Sequence, residues 1–112
     1  MDKAAILHLL ETDKRAVARA LLVLNERQTH DEQMSQNTRY LNGRGFRPCH
    51  ARRGTSMAQF FRQRGYLTDS QIEYWRQRDR TGAMRIGIYW AQLLEEAELK
   101  KARAAESTKN HD

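Results

Sequence analysis

The sequence predicts an all-α protein: a single small domain of four to five helices with an arginine-rich turn region. Three observations predict it. The 112 residues include one proline and six glycines, so few positions break a helix. Apolar residues recur at intervals of three and four, as in Val17, Leu21 and Leu24, which is the spacing of one helix face. Stop and start signals separate the periodic stretches, with Gly65 closing one helix and Thr68-x-x-Gln71 opening the next. The length is that of one ordinary domain, with residues 1–103 as the helical part and 104–112 as a disordered tail.

Taken in order, residues 2–11 form a short apolar stretch containing Ile6, Leu7, Leu9 and Leu10. Thr12 or Asp13 is a suitable N-cap for an amphipathic core helix from about Lys14 to Arg27. Thr29 and Glu32 have capping-box spacing and predict a separate short polar helix through about Gln36. Asn42-Gly43-Arg44-Gly45-Phe46 reads as a turn. Its glycines either let backbone N–H groups approach a phosphate or form a tight loop whose Phe46 plugs the core. The packing reading is preferred for the glycines and Phe46, and the flanking arginines stay candidates for binding. No strand precedes the turn and no Gly-Lys-Ser/Thr follows, so it is not a P-loop.

Pro48 predicts an extended approach to a third helix that begins near Thr55 or a few residues earlier. Met57, Phe60, Phe61 and Arg64 share its face, so both phenylalanines are expected in the core. After Gly65, a helix over 69–78 turns Ile72 and Trp75 inward and leaves Gln71, Arg76 and Arg78 for solvent or a ligand. Thr81-Gly82 interrupts the pattern. The last helix runs from about Ala83 past Leu99, with Ile86, Trp90, Leu93, Leu94 and Ala97 as its apolar stripe, Gly87 as a close-packing point and Glu96–Lys100 as an i, i+4 pair. The 14–27 and 83–100 helices are expected to hold the middle helices between them.

Charge is segregated along this framework. Residues 39–89 hold eleven arginines, no lysine and three acids, for a charge of +8, whereas residues 1–38 and 90–112 are each about −1. The net +6 therefore comes from the middle, which also holds eight of the nine aromatics. Clustered arginine is an electrostatic footprint for phosphates, and its planar fork suits phosphate and guanine. The candidates are Arg39, Arg44, Arg47, Arg52 and Arg53 around the turn, Arg62 and Arg64 at the end of the third helix, and Arg76, Arg78 and Arg80 beyond it. Tyr40 and Tyr66 are the aromatics available to stack on bases. If six phosphates were neutralised, log K would fall against log salt with a slope of about −5.

Other chemistries fit poorly. Cys49 is the single cysteine, so no intramolecular disulfide can form, which suits a reducing, cytoplasmic compartment. His8, His30 and His111 are scattered, and no C-x₂-C or H-x₃-H spacing exists for a metal. Cys49 has basic neighbours but no group to orient it as a nucleophile. Carboxylates are too sparse in the basic segment for a two-metal nuclease. The expectation is no enzyme, no cofactor, no metal and no membrane partner. The helix–Gly65–helix unit can be compared with a helix-turn-helix in which residues 69–78 enter the major groove. Ala58 lies seven residues before the glycine, whereas that motif places its alanine four before, so the comparison is not preferred.

Arg27 to Gln33, Asn42 to Phe46, Leu67-Thr68-x-x-Gln71 and Tyr89-x-x-Gln92-Leu93 together resemble small reading frames of phages and plasmids, and segments attached to helicase-like proteins of such elements. The resemblance covers roughly residues 5–94. It implies a mobile-element origin and a link to DNA handling. This chain departs from the pattern after the Gly-Phe turn, where His50-Ala51 followed by Arg52 and Arg53 replaces an acidic residue and alanine. The resulting expectation is a non-catalytic nucleic-acid-binding accessory protein. It would bind DNA in preference to RNA, mainly at backbone phosphates and without strong sequence specificity. The alternative is a small protein-protein interaction module acting on a host protein, which would ring its basic residues around an exposed Trp75 or Tyr74.

Overall fold

The computed structural model describes the backbone of residues 1–34 and 45–109, and the side chains of residues 1–29 and 45–105. Among these, five α-helices and one 3-10 turn account for the fold, with no sheet: α1 (Lys3–Thr12), α2 (Lys14–Met34), α3 (Pro48–Arg64), α4 (Asp69–Arg76), the 3-10 turn Ile86–Tyr89 and α5 (Trp90–Lys109). α2 is the central helix. It packs on α1, α3, α4 and α5, while α1 and α5 also pack on each other. The expected sandwich of middle helices between two outer ones is thereby corrected. The reason is that α2 has buried residues almost all round: Ala16, Val17, Ala18, Ala20, Leu21, Leu24 and Asn25.

Local signals explain most boundaries. Asp13 separates α1 from α2; its N–H donates to the Leu9 carbonyl at 2.8 Å and its carboxylate accepts the Arg15 N–H at 2.9 Å, closing one helix and capping the next. α3 ends at Gly65, whose φ of +79° only glycine adopts freely. Thr68 and Gln71 form the reciprocal capping box that opens α4.

Several boundaries depart from expectation. α2 continues to Met34, so no separate helix begins at Thr29; the Thr29 hydroxyl donates back to the Asn25 carbonyl at 2.9 Å. α3 begins at Pro48 itself, because the first helical position needs no N–H. α3 buries Gly54 and Ala58, and the absence of a side chain at Gly54 leaves room for the Phe46 ring. Phe60 and Phe61 are only half-buried outside the main core, and Phe60 packs edge-on against Tyr66 at 5.7 Å. α4 stops at Arg76, and an isolated antiparallel bridge joins Arg78 to Met84. Asp79 organises the loop between them, accepting from Thr81 N at 2.8 Å, Thr81 Oγ1 at 2.5 Å and Ala83 N at 3.2 Å. The last α-helix thus starts at Trp90, seven residues later than expected, and runs past Ala104 to Lys109 on good helix formers. Gly87 does mark close packing: a Cβ there would lie 3.1 Å from Leu7 Cδ2. Glu96 pairs with Arg27 across α2 and α5 at 3.4 Å. Among the described residues, no helix is long and apolar enough to cross a membrane.

Candidate nucleic-acid interface

The turn at Gly45-Phe46 is a structural latch. Phe46 is buried against Trp75, with ring centroids 5.8 Å apart, and edge-on to Tyr89 at 6.0 Å. Its ring lies on Gly54 of α3, where a Cβ would come within 2.4 Å of Phe46 Cζ. The Gln92 amide clamps the Gly45 backbone from α5: Gly45 N–H donates to Gln92 Oε1 at 2.7 Å, and Gln92 Nε2 donates to the Gly45 carbonyl at 3.0 Å. Gly45 also lies against α2, where a Cβ would meet Gln28 Cβ at 2.6 Å. The glycine and phenylalanine therefore serve packing rather than phosphate approach.

Tyr89 completes the latch at the start of α3. Its hydroxyl accepts from Arg47 N–H at 3.0 Å and lies 2.5 Å from His50 Nδ1. Burial raises the Tyr89 pKa, so the hydroxyl keeps its proton beside the His50 ring. Burial, then Arg85 and Arg47, hold the His50 pKa below its usual value. A folded-state pKa below that of the unfolded chain gives stability that is complete above about pH 6.5 and is lost as pH falls through the folded value. The unfolding midpoint is expected to drop between pH 7 and pH 5. His50→Gln, which keeps an acceptor but cannot charge, should flatten that drop in a pH series of thermal melts.

The predicted arginines fall into two groups. Several are committed to the fold. Arg76 is half-buried and its Nε donates to the Leu10 carbonyl at 2.8 Å, satisfying the end of α1. Arg78 bonds the Gly82 carbonyl at 2.7 Å and Glu11 at 3.1 Å. Arg62 pairs with Glu26 of α2 at 3.3 Å. Each of these three is engaged by a partner within the fold, because a guanidinium within reach of a helix-end carbonyl or carboxylate pairs with it. Arg47, Arg52, Arg53, Arg64 and Arg80 are exposed and, among the described residues, make no ion pair. Arg39, Tyr40 and Arg44 lie outside the described residues.

Four of the five unpaired arginines belong to α3 or its N-cap. α3 contains no acidic residue. Arg52 and Arg53 line a shallow cleft of about 520 Å³ together with Ser56, Met57 and Gln71 of α4. Arg53 lies 4.9 Å from the Tyr74 ring centre and Arg64 5.8 Å from that of Phe60, contacts that steady each side chain without neutralising it. Tyr66 is 54% exposed at the turn after α3. Trp75 is fully buried, and its indole N–H points to Met57 Sδ at 3.0 Å. The helix-turn-helix comparison inverts here. The basic face is on α3, before the turn, whereas α4 exposes Asp69 and Glu73.

Arg85, which sequence reading did not single out, ties the loop to α4 through the Tyr74 carbonyl and Gln77 Oε1, with its guanidinium 3.9 Å from the Tyr74 ring centre. No local pattern marks this role, since its partners are set by the bridge. Comparison with protein-family models, curated proteins and solved structures finds no match. Among the described residues, no three His, Cys, Asp or Glu side chains gather as a metal site.

Proposed function

We propose that this protein binds nucleic acid through α3, without catalysis, as an accessory factor of a mobile element. The observation that carries the reading is an acid-free helix of 17 residues in which Arg52, Arg53 and Arg64, like Arg47 at its N-cap, make no ion pair among the described residues, while Arg62, Arg76 and Arg78 are engaged by the fold. A phosphate backbone supplies the missing counter-charges. The alternative is a host-protein partner met through basic residues around an exposed Trp75 or Tyr74; Trp75 is buried, while Tyr74 is half-buried with Arg53 and Arg85 against its ring.

Fluorescence anisotropy over a salt series tests the reading. If Arg47, Arg52, Arg53 and Arg64 are the phosphate contacts, log K should fall with log salt at a slope of about −3.6 on duplex DNA. Weak binding with a slope near zero would sink it.

A further inference from the structure

The face of α3 opposite its buried side has the composition of a base-reading surface as well as a phosphate-binding one. Cys49, Arg52, Ser56, Gln59 and Gln63 recur at intervals of three and four and all are exposed, so they form one stripe along the helix. Gly54 and Ala58 lie on the opposite, buried side. Arg53 and Arg64 border the stripe on one edge and Arg62 on the other. Arginine reads guanine bidentately, glutamine reads adenine, and serine bonds to either, all from the major groove. That groove admits one α-helix, and α3 spans roughly 25 Å.

We infer that α3 lies in the major groove of duplex DNA. The stripe faces base edges and the bordering arginines face the two phosphate backbones. This rests on the nucleic-acid reading above and adds the form of the ligand. Single-stranded binding calls for rings on which bases stack. Among the described residues Tyr66 is the one aromatic that is exposed, and it is packed on Phe60 and lies beyond the stripe. Double-stranded RNA is disfavoured because its major groove is too deep and narrow for side chains to read. The acids of α4 do not oppose docking equally: Asp69 is held by Lys14 at 2.8 Å, and Gln71 is the residue α4 contributes beside Arg52 and Arg53.

The test uses the full chain and its native thiol. A mixed-sequence DNA duplex, each of its single strands and the matching RNA duplex are titrated by anisotropy. The bound DNA duplex is then challenged with methyl green, a major-groove ligand, and with netropsin, a minor-groove ligand. Alkylation of Cys49 is followed with and without saturating duplex. The expected result is DNA duplex bound about tenfold or more tighter than the other forms, displacement by methyl green but not netropsin, and slowing of Cys49 alkylation by about tenfold, on the scale of base-contact discrimination. Equal or tighter binding of a single strand, displacement by netropsin instead, or an unchanged alkylation rate under saturating duplex would overturn the major-groove assignment while leaving nucleic-acid binding intact. Failure to bind any of the four would overturn the functional reading itself.

Discussion

Arg52→Glu with Arg53→Glu is expected to weaken duplex DNA binding on the order of 100-fold at low salt, because two cationic contacts to the polyanion become two repulsions. Lys100→Glu with Lys101→Glu makes the same change in net charge on exposed positions of α5 and should cost less than about threefold. The comparison separates a located interface from general attraction to a basic protein. The fold should tolerate the first pair. Among the described residues neither arginine is in an ion pair, and glutamate is a good helix former. The largest stability term at risk is the Arg53–Tyr74 stacking, about 0.5–1 kcal/mol at an exposed site. Thermal melts verify folding, and anisotropy titrations give the two affinities. Equal losses from both pairs would remove the site from α3.

Gly54→Ala is expected to destabilise the protein by about 2–3 kcal/mol, the reverse of the usual gain of about 1 kcal/mol for this change inside a helix. The added Cβ would lie 2.4–2.6 Å from three atoms of the Phe46 ring. That ring has little room to retreat, being 7% exposed and packed against Trp75 and Tyr89. The Gln92 clamp fixes the backbone just before it. In a Phe46→Ala background, itself costing about 3–5 kcal/mol, the conflict disappears. Gly54→Ala should then recover its ordinary stabilising effect. Denaturant unfolding of the four chains in this double-mutant cycle gives the coupling. A stabilising Gly54→Ala in the unaltered protein would show that Phe46 does not seat on α3 as described.

Several residues behind the resemblance to phage and plasmid reading frames have physical roles in the fold. Gly45 and Phe46, Tyr89 and Gln92 are distant in sequence but form one latch. Thr68 and Gln71 form the cap of α4. The first group therefore holds the start of α3 and the second opens α4. The positions following the Gly-Phe turn, where this chain has Arg52 and Arg53, lie outside the latch on an exposed face.

Sequence alone determined the all-α class, the Val17-Leu21-Leu24 core line, the Gly65 stop, the Thr68–Gln71 cap, and the inward Ile72 and Trp75. Each depends on side chains or dihedral preferences within a turn or two of the residue concerned, so local rules suffice. It also placed the basic charge in the middle of the chain. Tertiary structure alone decided which arginines remain unpaired, since Arg76 meets a carbonyl of α1, Arg78 meets Glu11 and Arg62 meets Glu26 from positions 66, 67 and 36 residues away. It likewise decided that α3 packs through Gly54 and Ala58, with Phe60 and Phe61 outside the main core. A helix face is chosen by what its neighbours leave open. Phe46, arriving from outside α3, fills the space over Gly54 that one of α3's own large side chains would otherwise take.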